Sequence, residues 1–282
     1  MKQEAIRKLK ELSGHEFIEL TSKGDTAIFA ALYCARKIMG LGKVLIPDQG
    51  GWRTYPDYPK KLQMDVEYVK TDRGKIDLED LKDKAEDDEA KILLYQDYSG
   101  YFARNDVEKI YTICKGKLIV ILDITASLGA DDFSGYCDIS LSSFGRWKPV
   151  NLHYGGFLST NKKILFEKPK EIFNTTEFDE SKYEALLDRL EHVKERQISL
   201  REKCRKIKEE LKDFDVVYPE SESLVVVARF KDETEKENII NYCRQNNYEY
   251  TLCPRYIRLN EDAVSIEVKR IEDPEKKVKR GG

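Results

Sequence analysis

Lys117-Leu118-Ile119-Val120-Ile121-Leu122-Asp123 is the most strand-like run in the chain: rich in β-branched residues, uninterrupted, and closed by a carboxylate. A short continuous apolar run of this kind suits a strand buried on both faces, as in a parallel sheet covered by helices. Outward from it the pattern repeats. Residues 43–47, 65–69 and 91–95 read as strands upstream, and 137–143 and 155–160 downstream. Helical stretches separate them. Ser22-Lys23-Gly24-Asp25-Thr26 opens one whose apolar residues include Ala27, Ile28, Ala31, Leu32, Ala35 and Ile38, and Gly40 is placed to stop it. Asp77 is expected to cap a short helix and Asn105 another that runs to Cys114. This alternation predicts an α/β fold, a three-layer α/β/α large domain around a mostly parallel sheet.

The chain has 282 residues, enough for one large core and a smaller appendage. The expected division is a ligand-binding large domain over 1–170, a connecting long helix over 171–215 and a small α+β C-terminal domain over 216–282. The long helix itself reads as 181–214. Leu186, Leu190, Val193, Gln197, Leu200, Cys204, Ile207 and Leu211 follow a four-and-three spacing along it. The repeat is short and has a polar interruption, so a helix packed on a globular body is expected rather than a coiled coil. Strands at 224–230, 248–253 and 263–268 and a helix at 233–246 make up the small domain.

Charge is high but balanced, 49 basic against 52 acidic residues, with both signs interspersed. No basic stripe suggests nucleic acid, and the Lys279/Arg280 tail is too short to count. No run approaches the ~18 apolar residues of a membrane span. Met1-Lys2-Gln3-Glu4 leads into a charged helical stretch without a signal-peptide core, so a cytoplasmic protein is expected. The six cysteines lack CxxC or metal-ligand spacing and read as small buried hydrophobes; Cys253, near candidate site residues, is a weak thiol candidate. The three histidines lie far apart, and no metal is expected.

Ligands of parallel α/β sheets bind at the carboxyl ends of strands. Trp52 follows one predicted strand, Asp123 ends another, and Ser143 and Lys148 come at and after the end of a third. Gly24-Asp25-Thr26 lies at a helix N-terminus, where free N–H groups and the helix dipole suit a phosphate. Together these parts suit a cofactor with a phosphate, a protonatable ring nitrogen and an aldehyde: a carboxylate for the ring nitrogen, an aromatic for the ring face, a lysine for a Schiff base. Singly, Asp123 reads equally as a strand-end cap, Trp52 as core or interface, and Lys148 as surface. Their joint spacing favours the site.

Ser143-Phe144-Gly145-Arg146-Trp147-Lys148, then six residues, then Gly155-Gly156, resembles the lysine signature of the DegT/StrS-like nucleotide-sugar aminotransferases. That group belongs to the pyridoxal-phosphate (PLP)-dependent aspartate aminotransferase superfamily of fold type I. Gly129-Ala130, Cys137-Asp138-Ile139, Asp123-Ile124-Thr125-Ala126, Tyr98-Ser99-Gly100 and Gly24-Asp25-Thr26-Ala27 stand in the family's order, so the resemblance runs from about residue 20 to 160. It implies a role for each position. Lys148 would form the Schiff base and move the substrate proton, Asp123 would pair with the pyridine nitrogen, and Ser143, Thr26 and the backbone of Asp25 and Gly24 would hold the phosphate. Trp52, or else Tyr55, would stack on the ring. Ala126 occupies the place of a family glutamine that contacts the cofactor, with Ser127 as a candidate substitute.

The resemblance implies a homodimer that takes PLP and moves an amino group from an amino-acid donor to a carbonyl acceptor. Arg255, Arg258 and Arg270 are candidates to clamp a substrate carboxylate, because a planar guanidinium suits that task. His153-Tyr154 replaces the family's Gly-Glu. Asn174 is a loose candidate for the family's Asn-x-Arg, which serves the partner subunit's phosphate. By comparison the chain is a shortened form, lacking most of an N-terminal arm and part of the small domain. These departures leave open two further readings: a PLP-dependent lyase or other chemistry at the α- or β-carbon, and a degenerate relative that binds PLP without turning over.

Overall fold

In the computed structural model, which describes residues 1–271, the run at 117–123 lies in the middle of a seven-stranded sheet. The 272–282 end of the expected small domain, with Lys279 and Arg280, lies outside the described residues. In chain order the strands are β1 (Phe17–Thr21), β2 (Lys43–Pro47), β3 (Asp65–Val69), β4 (Thr71–Asp72), β5 (Lys75–Ile76), β6 (Ala90–Gln96), β7 (Tyr98–Ser99), β8 (Ala103–Arg104), β9 (Ile119–Asp123), β10 (Ile139–Ser143) and β11 (Gly156–Thr160). The main sheet runs β1-β11-β10-β9-β6-β2-β3. Its members from β10 to β3 are parallel neighbours, while β11 is antiparallel to both β10 and β1. The expected strands are all present. β1, whose short FIELT run carries two polar residues, is an addition that closes the sheet edge.

Side chains alternate across a strand, and here both faces are apolar. Val120 and Leu122 join Leu45, Leu93 and Tyr95 in one core cluster, under α1 (Lys2–Ser13) and the helix Tyr183–Glu191. Ile119 and Ile121 join Val44, Ile46, Ile92 and Leu94 on the opposite face, under α2 (Gly24–Met39). That is the three-layer arrangement. Gly40 ends α2 with φ 82°, its N–H on the Arg36 carbonyl. Asp77 caps the helix Leu78–Ala85, accepting from the N–H groups of Glu79 and Asp80.

Asn105 is not the cap of the next helix. Asp106 is, accepting from the Lys109 N–H. Asn105 is buried and ties loops together, donating to the Gln96 carbonyl (2.8 Å) and accepting from the Ile76 N–H (2.9 Å).

The predicted long helix is two. Tyr183–Glu191 and Val193–Glu210 meet at His192, whose Nδ1 lies 2.7 Å from the Asp188 carbonyl that a continuing helix would engage. Leu186, Leu190 and Val193 pack in the large core, and Leu200, Cys204 and Ile207 in the small one, as expected of a helix lying on a globular body. The small domain is an antiparallel sheet of β12 (Asp215–Val216), β13 (Val226–Arg229), β14 (Tyr250–Cys253) and β15 (Ala263–Ile266) in the order β12-β13-β15-β14, with the helix Glu233–Gln245. Its core reaches into the large domain, taking in Tyr98, Tyr101, Phe102 and Ala126. All six cysteines are buried and unpaired. Among the described residues no helix is long and apolar enough to cross a membrane.

Candidate active site

The carboxyl ends of β6, β9 and β10 and the N-terminus of α2 converge on a cavity of about 330 Å³. Six of the expected residues line it: Gly24, Asp25, Trp52, Asp123, Ser143 and Lys148. The backbone explains how they meet. A Cβ on Gly24 would stand 2.4 Å from the Ser143 Cβ, and one on Gly156 would stand 2.6 Å from the Ser142 carbonyl and 3.1 Å from the Gly24 Cα. Only glycines let the first turn of α2 settle against the ends of β10 and β11. The Ser143 hydroxyl thereby comes to the helix N-terminus, where the first N–H groups have no partner within the helix.

Lys148 follows β10 on a strained loop. Trp147, Asn151 and His153 all adopt left-handed φ values (62°, 49° and 65°), a conformation that non-glycine residues rarely hold and that clusters at functional sites. The Trp147 N–H donates to the Asn151 side chain at 2.7 Å, which pins the turn. The Lys148 side chain is only 8% exposed. Its Nζ lies 4.4 Å from the Trp52 ring centroid and donates to the Tyr101 hydroxyl at 2.5 Å. Burial pushes the amine down to about 8, against the opposing pull of Asp123.

Asp123 is buried at the end of β9. It accepts from the Tyr55 hydroxyl (3.0 Å), the Gln96 amide (3.3 Å) and the Thr125 N–H (2.9 Å). These donors hold the carboxylate in place facing the cavity. Tyr55 is completely buried and does not line the cavity, so Trp52 is the aromatic wall. Burial, then the neighbouring Asp123, keeps the Tyr55 phenol protonated, well above its ordinary range. The Asp25 carboxylate is engaged by the Trp52 Nε1 (2.8 Å) and the Thr54 hydroxyl (3.0 Å).

Other expected residues lie elsewhere. Thr26 is on the first turn of α2 but does not line the cavity. Ala126 is buried in the small-domain core, its carbonyl taking a hydrogen bond from Gln197 (2.7 Å), and Ser127 is fully buried beside it. Neither lines the cavity. Arg255 is exposed, outside the cavity. Arg258 is held bidentately by Glu267 (2.7 and 3.1 Å), and Arg270 by Glu249 (2.8 Å), so both guanidiniums are already engaged. Asn174 is exposed on the 3-10 helix Lys170–Thr175. Cys253 is buried, and burial raises its thiol.

Sequence reasoning missed Gln96, Tyr101, Thr125, Arg146 and Lys23, which also line the cavity. Gln96 had a signal, being the one polar residue that ends the apolar run of β6. Tyr101 had none, since its position depends on contacts with the small domain. A larger cavity, about 470 Å³, lies beside the helix Val193–Glu210 and holds Gly129 and Ala130 but none of the expected chemical groups.

Residues 194–277 match the family model described as the MJ1341 family C-terminal domain. A search of curated proteins finds no match. Solved structures are similar over nearly the whole chain. PseC of Helicobacter pylori, an aminotransferase involved in pseudoaminic acid biosynthesis, aligns with TM-score 0.74 and 15% identity over 94% of this chain and 85% of that chain. A DegT DnrJ EryC1 StrS aminotransferase from Brucella abortus aligns with TM-score 0.71 and 16% identity, over 99% and 87%. Serine palmitoyltransferase from S. paucimobilis, with a bound PLP–myriocin aldimine, aligns with TM-score 0.72 and 13% identity, over 99% and 74%. The chain has the fold of the type I PLP-dependent enzymes.

Proposed function

We propose that the chain is a PLP-dependent enzyme that transfers an amino group from an amino-acid donor to a small carbonyl acceptor. One observation carries this reading: a buried lysine amine with a lowered proton affinity shares a cavity with a buried carboxylate and a helix N-terminus. The residues fit the cofactor. The α2 N-terminus and the Ser143 hydroxyl would hold its phosphate, Asp123 its ring nitrogen, Trp52 its ring face, and Lys148 its aldehyde. When bound, the cofactor supplies an electron sink for charge developing at the substrate Cα.

The chain's own residues do the rest. With its amine brought to about 8, Lys148 has an unprotonated fraction at neutral pH roughly two orders of magnitude above that of an ordinary lysine. An amine in that form is a nucleophile, and once released it is a base for the substrate Cα proton. Tyr101 orients it through their hydrogen bond. Trp52 and Tyr101 wall it from water. Asp123, fixed by three donors, presents its carboxyl group to the cavity.

Likeness to the type I enzymes also supports a homodimer. Ala126, in place of a polar family residue, favours a second reading, a relative that binds the cofactor without turning over. The test is the visible spectrum of the purified chain with added PLP, before and after borohydride, beside Lys148→Ala. A band that reduction locks onto the Lys148 peptide supports the proposal; no band in the wild type, or the same band in the variant, refutes it. A band unchanged across a panel of amino acids would favour the non-catalytic reading. Formation of a keto acid in step with a new amine separates transfer from lyase chemistry.

A further inference from the structure

None of the three arginines expected to clamp a substrate lines the cavity; among the described residues that line it, Arg146 is the one arginine. Two residues before Lys148, it is exposed, and its guanidinium carbon stands 4.5 Å from the centroid of the Trp147 ring. The same ring carries Arg270 at 4.5 Å. Arg270 is in turn held by Glu249 at 2.8 Å. Trp147 is itself pinned in a left-handed turn by its bond to Asn151. The indole is therefore a fixed platform between the small domain and the rim of the cavity.

A guanidinium resting on an aromatic face keeps its N–H donors at its edge, where a carboxylate accepts two of them side by side. No ion pair to a carboxylate is seen for Arg146 among the described residues. The two carboxylates that share the cavity are otherwise occupied, Asp25 by Trp52 and Thr54, and Asp123 by Tyr55, Gln96 and Thr125. The remaining cations at the cavity differ in kind. Lys148 is buried behind Trp52, and Lys23 sits at the N-terminus of α2 beside the phosphate seat. Arg146 lines the same cavity and is exposed to solvent.

We propose that Arg146, stacked on Trp147, is the specificity residue that recognises a carboxylate on the substrate. This rests on the cofactor reading above and deepens it by naming the residue that selects amino acids over simple amines as donors.

The test compares paired probes that differ by one carboxylate: alanine against ethylamine, and glutamate against 4-aminobutyrate. Each is titrated into the full PLP-loaded chain and read by the change in the visible spectrum. The wild type is expected to bind the member with the additional carboxylate about 10- to 100-fold more tightly in at least the alanine pair, the range for a hydrogen-bonded charge. Arg146→Gln should abolish that preference, Arg146→Lys should retain part of it, and Arg255→Gln, outside the cavity, should leave it unchanged. A preference that survives in Arg146→Gln, or no preference in the wild type, overturns the inference. So does weakened affinity of Arg146→Gln for PLP itself with the preference intact, which would make Arg146 a cofactor-phosphate ligand. If the wild type takes up no PLP, the cofactor reading fails first, and the two failures are told apart by the spectrum before any amine is added.

Discussion

The amine of Lys148 donates a 2.5 Å hydrogen bond to the hydroxyl of Tyr101, and both side chains are buried. Tyr101 is in turn gripped by the small domain. Its carbonyl accepts from the Leu224 N–H at 2.8 Å, and its ring lies 4.7 Å from the Lys269 amine and 5.4 Å from the Arg258 guanidinium. Its φ of 69° is one a tyrosine holds only when its surroundings enforce it. The small domain thus shapes the surroundings of a lysine carried by the large one.

The first prediction concerns the proton on Lys148. Trace acetylation of the chain at a series of pH values, read on the Lys148 peptide, should show reactivity rising with a midpoint near 8, the value to which burial brings the amine. Exposed lysines on the same chain should rise near their ordinary value of about 10.4. A Lys148 profile that tracks the exposed lysines would contradict the geometry.

A second concerns Asp97, which is fully buried next to the β9 end and accepts from the Tyr98 N–H. Burial raises its carboxyl to about 8. Between the ordinary aspartate range and 8 the folded chain holds a proton that the unfolded chain has released, so this group's contribution to stability falls as pH rises through that window. Asp97→Asn should remove this slope and be more stable than wild type at pH 8–9, by roughly 1 kcal/mol or more. Urea unfolding of both proteins at pH 6 and pH 8.5 measures it.

Glu267 is the anion that holds the cluster behind Tyr101. It is 1% exposed and faces Arg258 at 2.7 Å, Arg270 at 3.5 Å and Lys269 at 3.7 Å. Burial alone would raise its carboxyl, but these cations, Arg258 foremost, hold it well below the carboxylate range. Glu267→Gln leaves the buried Arg258 without its carboxylate partner, at a cost of about 3–5 kcal/mol. A denaturant midpoint that did not move would show that the cluster is not held as described.

Gly24→Ala puts a methyl 2.4 Å from the Ser143 Cβ. The first turn of α2 must then move off the end of β10, at a cost of about 1–3 kcal/mol in stability. PLP affinity, measured by titration, should fall more than that of a Gly135→Ala control, whose Cβ meets nothing within 4 Å.

Much of the large domain was legible because its signals are local. The 117–123 run is apolar on both strand faces and so had to be covered on both. Asp77 and Gly40 do what a cap and a stop do, and their partners lie within four residues. The spacing from Ser143 to Lys148 to Gly155-Gly156 was readable because one strand, one loop and the next strand carry it all.

Asn105 shows where such reading ends. Asn105 and Asp106 are both good cap residues, and what separates them is that Asn105 reaches Ile76 and Ser99 from a buried position. The arginines fail in the same way. Arg258 and Arg270 are taken by Glu267 and Glu249, partners that adjacency in sequence does not reveal, whereas Arg146 was passed over inside the motif itself.

By itself the sequence determined the α/β class, the strand ends that bear Asp123 and Ser143, and the lysine that follows them. Each depends on the periodicity and dihedral preferences of neighbouring residues. The tertiary structure alone decided that Tyr101 meets Lys148, that Tyr55 and Gln96 hold Asp123, and that Arg146 rather than Arg270 borders the cavity. Those choices depend on which buried polar groups find partners once the small domain packs on the large one, and desolvation makes every such pairing a property of the whole fold.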